Sequence, residues 1–276
     1  MKKTISLYGS TGFIGSNFLN RYREVYNLIN IPRDQDISES NEALYFISTT
    51  TNYNVFEDPF LDIDTNLSKL INVLEANKNK EDFVFNFISS WFVYGDHGLS
   101  PCSENSYCNP KGFYSITKRA AEQLLISYCE TFNIKYRIIR LCNVIGKGDS
   151  FSLKKNALQQ MISNLKVNDP VNLYDNGSHL RDYLHVNDVC KAISICISRM
   201  SHNDIINIGR GKSNTIFEMM SYAKYILGSK STFTNIDPPK FHSIVQARDV
   251  IIDTKKINSL GFIPELTIRE SIKLLL

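Results

Sequence analysis

The hydrophobic positions of the chain fall into two alternating rhythms. Short, mostly apolar runs predict buried strands over residues 5–8, 25–31, 43–47, 83–88 and 136–141. Between them, apolar residues spaced by three and four predict helices. One begins at Phe13 and Ile14 and continues through Phe18 and Leu19; others cover 62–77 and 114–132. Strands alternating with helices predict a parallel sheet covered on both faces, with ligands beyond the carboxyl ends of its strands. Ser48, Ser90 and Asn143 each follow a predicted strand end, so they should line one crevice. Past residue 150 the rhythm loosens, with helices predicted over 158–165, 186–200 and 216–227 and short strands over 171–174 and 205–208. This part is expected to form a smaller region laid over the crevice.

The first strand runs straight into Gly9, Gly12 and Gly15, and a helix pattern follows at once. In a strand–turn–helix setting these glycines have separate tasks. Gly9 permits a tight turn, Gly12 lets the backbone approach a pyrophosphate, and Gly15 lets the helix sit close to the strand. The helix N-terminus then offers amides and a positive dipole end to phosphates. The second predicted strand ends in Pro32-Arg33-Asp34, and Arg33 lies 24 residues beyond Gly9. That is where the tip of strand two should meet the adenosine ribose; an arginine there accommodates the 2′-phosphate of NADP, whereas an acid favours NAD.

Composition narrows the alternatives. The net charge of +3 over 276 residues, without a basic stripe interleaved with aromatics, points to neither nucleic acid nor a membrane surface. Six cysteines, at 102, 108, 129, 142, 190 and 196, form no C-x-x-C pair and read as reduced thiols of a cytoplasmic protein. The five histidines have no metal-ligand spacing, so no metal is expected. No apolar run approaches a membrane span, and the first strand follows directly on Met-Lys-Lys, so no leader is expected.

Tyr114 and Lys118 stand at i and i+4 of the long helix, which places phenol and ammonium on one face. A tyrosine titrates near pH 10 in water. A neighbouring cation, lysine or nicotinium, favours its phenolate and brings it toward use as an acid–base group. Ser90, at the preceding strand end, can bond the same substrate oxygen. An exposed Tyr-Lys pair on an amphipathic helix is the bland alternative.

The order of motifs resembles that of the extended short-chain dehydrogenase/reductases, the NAD-dependent epimerase/dehydratase family acting on nucleotide sugars. The resemblance runs nearly end to end. It rests on Gly9-x-x-Gly12-x-x-Gly15, Leu44 to Thr49, Asp62-Ile63-Asp64-Thr65-Asn66-Leu67, Ser89-Ser90-Trp91-Phe92-Val93-Tyr94-Gly95 and Asn109-Pro110-x-x-x-Tyr114-x-x-x-Lys118. Arg140-Leu141-Cys142-Asn143-Val144-Ile145-Gly146, Gly177 through Arg181-Asp182-Tyr183-Leu184-His185-Val186, Asn207-Ile208-Gly209 and Leu260-Gly261-Phe262-x-Pro264 complete the series.

The resemblance implies a Rossmann-type doubly wound parallel sheet with a smaller C-terminal substrate-binding region. The expected division is 1–153 with 181–210 for the dinucleotide, and 154–180 with 211–276 for the sugar nucleotide. It implies catalytic roles for Ser90, Tyr114 and Lys118. Gly9, Thr11, Gly12, Phe13, Ile14, Gly15, Arg33, Ser48, Thr49 and Lys118 would hold NADP or NAD, with Arg33 leaning to NADP. Asn143 would lie near the sugar or its phosphates, and Arg181 and Arg248 would grip the nucleotide diphosphate. Arg181 could instead pair with Asp182, and Trp91 is either core or substrate-facing. His185 reads as structural.

The implied activity is hydride transfer at sugar C4, as a 4-epimerase or a 4-keto-6-deoxy-sugar reductase, in making nucleotide sugars for cell-surface polysaccharide. The alternatives are a dehydratase or a catalytically idle, cofactor-sensing member of the fold. Trp91-Phe92 stands where the family's 4,6-dehydratases carry Asp-Glu, which disfavours dehydration. Residues 34–43 are short for the family, so a helix at the sheet edge is expected to be missing. A homodimer through the helices at 62–77 and 114–132 is also implied, although Ile126 and Tyr128 could equally be core.

Overall fold

Residues 2–149 and 157–276 are described by the computed structural model. The expected boundary at 153/154 lies outside the described residues. Six strands form one sheet: β1 (Thr4–Tyr8), β2 (Asn27–Ile31), β3 (Glu42–Tyr45), β4 (Val84–Ser90), β5 (Lys135–Leu141) and β6 (Asp204–Ile208). Their order is β6-β5-β4-β3-β1-β2, and every neighbouring pair is parallel. This is a Rossmann-like α/β fold. Every residue of β3 and β4 is buried, as strands covered on both faces require.

Helices α1 (Phe13–Tyr22) and α4 (Val186–Arg199) cover one face, where Phe18, Val189 and Ile193 meet Ile5, Leu7 and Ile139. Helices α2 (Lys69–Asn77) and α3 (Phe113–Phe132) cover the other, packing Leu70, Val73, Ala121 and Leu125 against Tyr45, Phe85 and Phe87. A separate apolar cluster joins Leu158, Ile162, Leu173, Met220 and Ile272 in the later part of the chain. There short strands pair outside the main sheet: Asn143–Ile145 with Tyr183–His185, Val171–Tyr174 with Phe233–Ile236, and Leu180–Arg181 with Asn214–Thr215.

Two local features bear on the site. The helix expected over 62–77 is interrupted: an α-turn Leu61–Ile63 gives way to a π-helical turn, Asp64–Ser68, before α2. The other feature is the link from β2 to β3, which crosses β1 without a helix, as the short 34–43 segment implies. Side chains hold this link in place of helix packing. Tyr8 and Asn77 donate to the Asp36 carbonyl at 2.8 and 2.9 Å, and Ser38 N donates to Asn77 at 2.8 Å.

Candidate active site

The turn from β1 into α1 separates the glycines by what each must avoid. Gly9 has φ +79°, a conformation L side chains rarely adopt. A Cβ on Gly15 would lie 2.3 Å from the Gly9 carbonyl oxygen, so only glycine lets the helix approach the turn. A Cβ on Gly12 would make only an ordinary contact with that oxygen, at 3.4 Å. The chain's own packing therefore does not require glycine at 12. Gly12 is the N-cap of α1, no side chain caps the helix, and its first turn carries no acid. The leading amides, from Phe13 to Gly15, are left for an anion that can approach a bare Cα closely. Thr11 is exposed in the turn, and Arg33 is exposed just past the end of β2. These residues fit the pyrophosphate and adenosine end of a dinucleotide.

The residues expected to be catalytic gather at the carboxyl ends of β3 and β4. The first turn of α3 is fixed by Ser115, whose hydroxyl donates to the Gly112 carbonyl at 2.8 Å and accepts from Gly112 N at 3.0 Å. A Cβ on Gly112 would strike Asn52 at 2.2 Å, and that side chain accepts from Ser115 N at 3.3 Å. This locks Tyr114 in place, only 8% exposed. Burial pushes its pKa up to about 12; side-chain hydrogen bonding with Ser90 pulls down, nearby Asp62 pushes up, and Ser48 pulls down.

Lys118, one turn on, is buried, and burial lowers its pKa to about 7 against the pull of Glu122. Its Nζ donates to the Ile88 carbonyl at 2.7 Å and lies 4.2 Å from the centroid of Phe87. The expected lowering of the tyrosine by its neighbours is therefore not a property of the chain alone. Burial outweighs it, and the ammonium is already engaged by β4.

Sequence reasoning did not single out Asn66 as a site residue. The π-helical turn carries it, and it joins three elements. Its Oδ1 accepts from the Ser48 hydroxyl at 3.0 Å and from Thr49 N at 2.9 Å. Its Nδ2 donates to Thr49 at 2.8 Å and to Thr117 at 3.0 Å. The Ser48 hydroxyl thus spends its proton on Asn66, which fixes its oxygen at the strand end. Ser90 Oγ accepts from Phe92 N at 3.3 Å, which leaves its own proton for the phenol or a substrate oxygen. Asp62, also given no site role in the sequence, accepts from Thr49 and Asn54, and its second carboxylate oxygen is buried without a hydrogen-bond partner. The signal for both was the Asp-x-x-x-Asn spacing in the motif, which places them one turn apart.

The substrate side departs from expectation in part. The Asn143 amide donates to the Asp182 carbonyl at 3.1 Å. Arg181 does not pair with the Asp182 carboxylate, which instead accepts from Arg210 N and Gly211 N. Arg181 donates to the Ala247 carbonyl at 2.7 Å and to that of Arg248, so the two expected diphosphate arginines meet through backbone. Arg248 is exposed, its Nε 3.8 Å from Asp249. Trp91 is only 3% exposed and lies in the core, stacked on Phe92 at 4.0 Å. The half-buried Phe92, not Trp91, is the aromatic beside Tyr114, 5.8 Å from its ring at 80°. His185 caps α4, accepting from Asn187 N at 3.2 Å, as a structural role requires. Among the described residues no cluster of metal-ligating side chains occurs.

The model of the NAD dependent epimerase/dehydratase family matches residues 42–209, more than half of the chain. The chain belongs to this family. It is an NAD(P)-dependent enzyme of the extended short-chain dehydrogenase/reductase type, within a family of nucleotide-sugar epimerases, reductases and dehydratases. It is 28% identical, over 98% of its length and 96% of the relative's, to a Methanocaldococcus jannaschii protein named "Putative UDP-glucose 4-epimerase". It is 25% identical, over 100% and 97% of the two chains, to GDP-6-deoxy-D-mannose reductase of Pseudomonas aeruginosa. In fold it is similar to a UDP-glucose 4-epimerase of Thermotoga maritima solved with UDP-glucose, with a TM-score of 0.88, 23% identity and coverage of 99% and 97%. Solved chains of the same fold hold NAD or NADPH. No described helix is long and apolar enough to cross a membrane.

Proposed function

We propose that the protein transfers hydride at C4 of a nucleotide-diphosphate sugar, with Tyr114 as the proton-transfer group. The observation that carries this reading is the buried Tyr114 with Lys118 one turn away on the same helix and Ser90 at the adjoining strand end. When bound, the nicotinamide supplies or accepts the hydride. Tyr114 exchanges the proton of O4, Ser90 donates to the same oxygen, and Lys118 adds positive charge near the phenol as it gains a proton. Gly9, Thr11, Gly12, Phe13, Ile14, Gly15, Arg33, Ser48 and Thr49 hold the dinucleotide. Asn143, Arg181 and Arg248 meet the sugar and its diphosphate.

The exposed Arg33 at the tip of β2 favours NADP, and with it reduction of a 4-keto-6-deoxy sugar. The methanogen relative's name favours the second reading, a 4-epimerase with tightly held NAD. Dehydration is disfavoured because Trp91 and Phe92, which follow Ser90, supply neither acid nor base. The idle alternative is disfavoured because Tyr114 and Lys118 are both kept.

The division at 1–153 with 181–210 against 154–180 with 211–276 is part of this proposal, as is a cytoplasmic setting, which six free thiols suit. So is a homodimer through the helical layer that exposes Ile63, Ile71, Ile116, Leu124 and Phe132, while Ile126 and Tyr128 pack inward. A single species of monomer mass in sedimentation at micromolar concentration would remove the dimer.

The deciding experiment denatures the purified protein and identifies the released dinucleotide by mass. Stoichiometric NAD supports the epimerase. An empty site that prefers NADPH to NADH, with the preference lost in Arg33→Ala, supports the reductase. Affinity for neither overturns the reading.

A further inference from the structure

Ser90 is followed by two aromatic residues that do different work. Trp91 turns into the core and stacks under Phe92 with ring centroids 4.0 Å apart and planes at 25°. The Arg181 guanidinium lies 5.8 Å from the centroid of Trp91. Phe92, half-buried, sets its ring edge-to-face against Tyr114 at 5.8 Å. An aromatic stack therefore runs from Arg181 to the catalytic phenol. Trp91 backs Phe92 and fixes its ring at the wall beside the reacting oxygen.

A sugar whose O4 meets the Tyr114 hydroxyl has this ring against its flank. A phenyl ring offers no conventional hydrogen-bond donor or acceptor, so a hydroxyl pressed onto it loses water and gains nothing in return. A methyl group in the same place buries apolar surface against apolar surface. The exocyclic carbon on C5 projects furthest from the ring next to C4, so it is the substituent a side wall there meets first.

We propose that Phe92, backed by Trp91, is a specificity-determining residue that selects sugars with a methyl rather than a hydroxymethyl group at C6. This rests on the reading that the sugar's O4 lies at Tyr114, and it adds the class of sugar. Phe92 cannot exchange a proton at the neighbouring C5, so the 6-deoxy group is not made in this site. The substrate reaches it already deoxygenated, from a 4,6-dehydration carried out elsewhere.

The test is calorimetric binding to the dinucleotide-loaded protein of three matched pairs: UDP-glucose and UDP-6-deoxyglucose, GDP-mannose and GDP-6-deoxymannose, dTDP-glucose and dTDP-6-deoxyglucose. Comparing affinities within a pair cancels the nucleotide. In the pair that binds, the 6-deoxy member is expected to be tighter by about ten- to a hundredfold. Phe92→Ser should bring that ratio close to one, and Phe92→Leu, which keeps the wall apolar, should preserve it. Equal affinity within every pair that binds, or a preference that survives in Phe92→Ser, overturns the role of Phe92 and leaves the C4 reading intact. Binding of none of the six overturns both.

Discussion

Lys118 donates to the carbonyl of Ile88 at 2.7 Å, two residues ahead of Ser90 on the same strand. The ammonium is thus tied to β4 inside a buried site, and burial lowers its pKa from 10.5 to about 7. In the unfolded chain the lysine keeps its proton to about pH 10.4. Between these values the unfolded state binds the extra proton, so this group's contribution to stability rises with pH. Below pH 7 its penalty is present in full. Lys118→Met should therefore be more stable than the parent near pH 6.5, and the gap should narrow by pH 8.5. Urea unfolding at the two pH values measures this, and a gap independent of pH would show that the lysine stays charged in the fold.

Tyr114→Phe removes one hydroxyl from a packed ring and keeps the contact with Phe92. Turnover should fall by about 10²- to 10⁴-fold, the range of a general acid–base group. Dinucleotide affinity and melting temperature should stay near those of the parent. Full turnover in this variant would remove Tyr114 from the chemistry.

Gly12, at the exposed N-cap, and Gly15, buried inside α1, differ in what surrounds a Cβ and should respond differently to alanine. Gly15→Ala drives a methyl to 2.3 Å from the Gly9 oxygen and should lower both stability and dinucleotide binding. Gly12→Ala meets only a 3.4 Å contact, so the fold should hold while dinucleotide affinity falls. Titration with NADH and NADPH, alongside thermal melts of both variants, separates the cases. Undiminished affinity in Gly12→Ala would place the diphosphate elsewhere.

One turn beyond Lys118, Glu122 accepts from Arg140 at 2.9 and 2.8 Å, and both side chains are almost wholly buried. Burial pushes the Glu122 pKa up, but Arg140, Ser89 and Arg119 outweigh it and hold the carboxyl below its usual range. Glu122→Ala strands a buried guanidinium and should cost about 3–5 kcal/mol in denaturant unfolding. A midpoint close to the parent's would mean that water reaches Arg140.

Much of this was legible in the sequence because the sheet is buried on both faces. Apolar runs located β1, β4 and β5 to within two residues, and the helix over Ile216–Leu227 and the strand over Val171–Tyr174 have the predicted ends. What escaped was structure that a period cannot register. A π-helical turn adds one residue to a repeat without breaking its apolar face, so Asp64–Ser68 reads as ordinary helix and Asn66 does not stand out. The strands Leu180–Arg181 and Tyr183–His185 are too short to show alternation. Phe233–Ile236 sets polar Thr234 and Asn235 between its two apolar ends, so it shows neither an apolar run nor alternation. Phe92 and Trp91 are adjacent aromatics, and only the turn after β4 decides which one faces the core.

The missing layer between β2 and β3 has a cost of another kind. With no further strand beside it, β2 ends the sheet, and its outer backbone groups over Asn27–Ile31 are a template for another chain. Asn27 and Asn30 are exposed along this strand, and Pro32 follows it without an amide proton to offer. Two polar side chains and one proline thus guard a flank against self-association. Replacing Asn30 and Pro32 with valines would leave this edge apolar and open, and more prone to aggregate than the parent's.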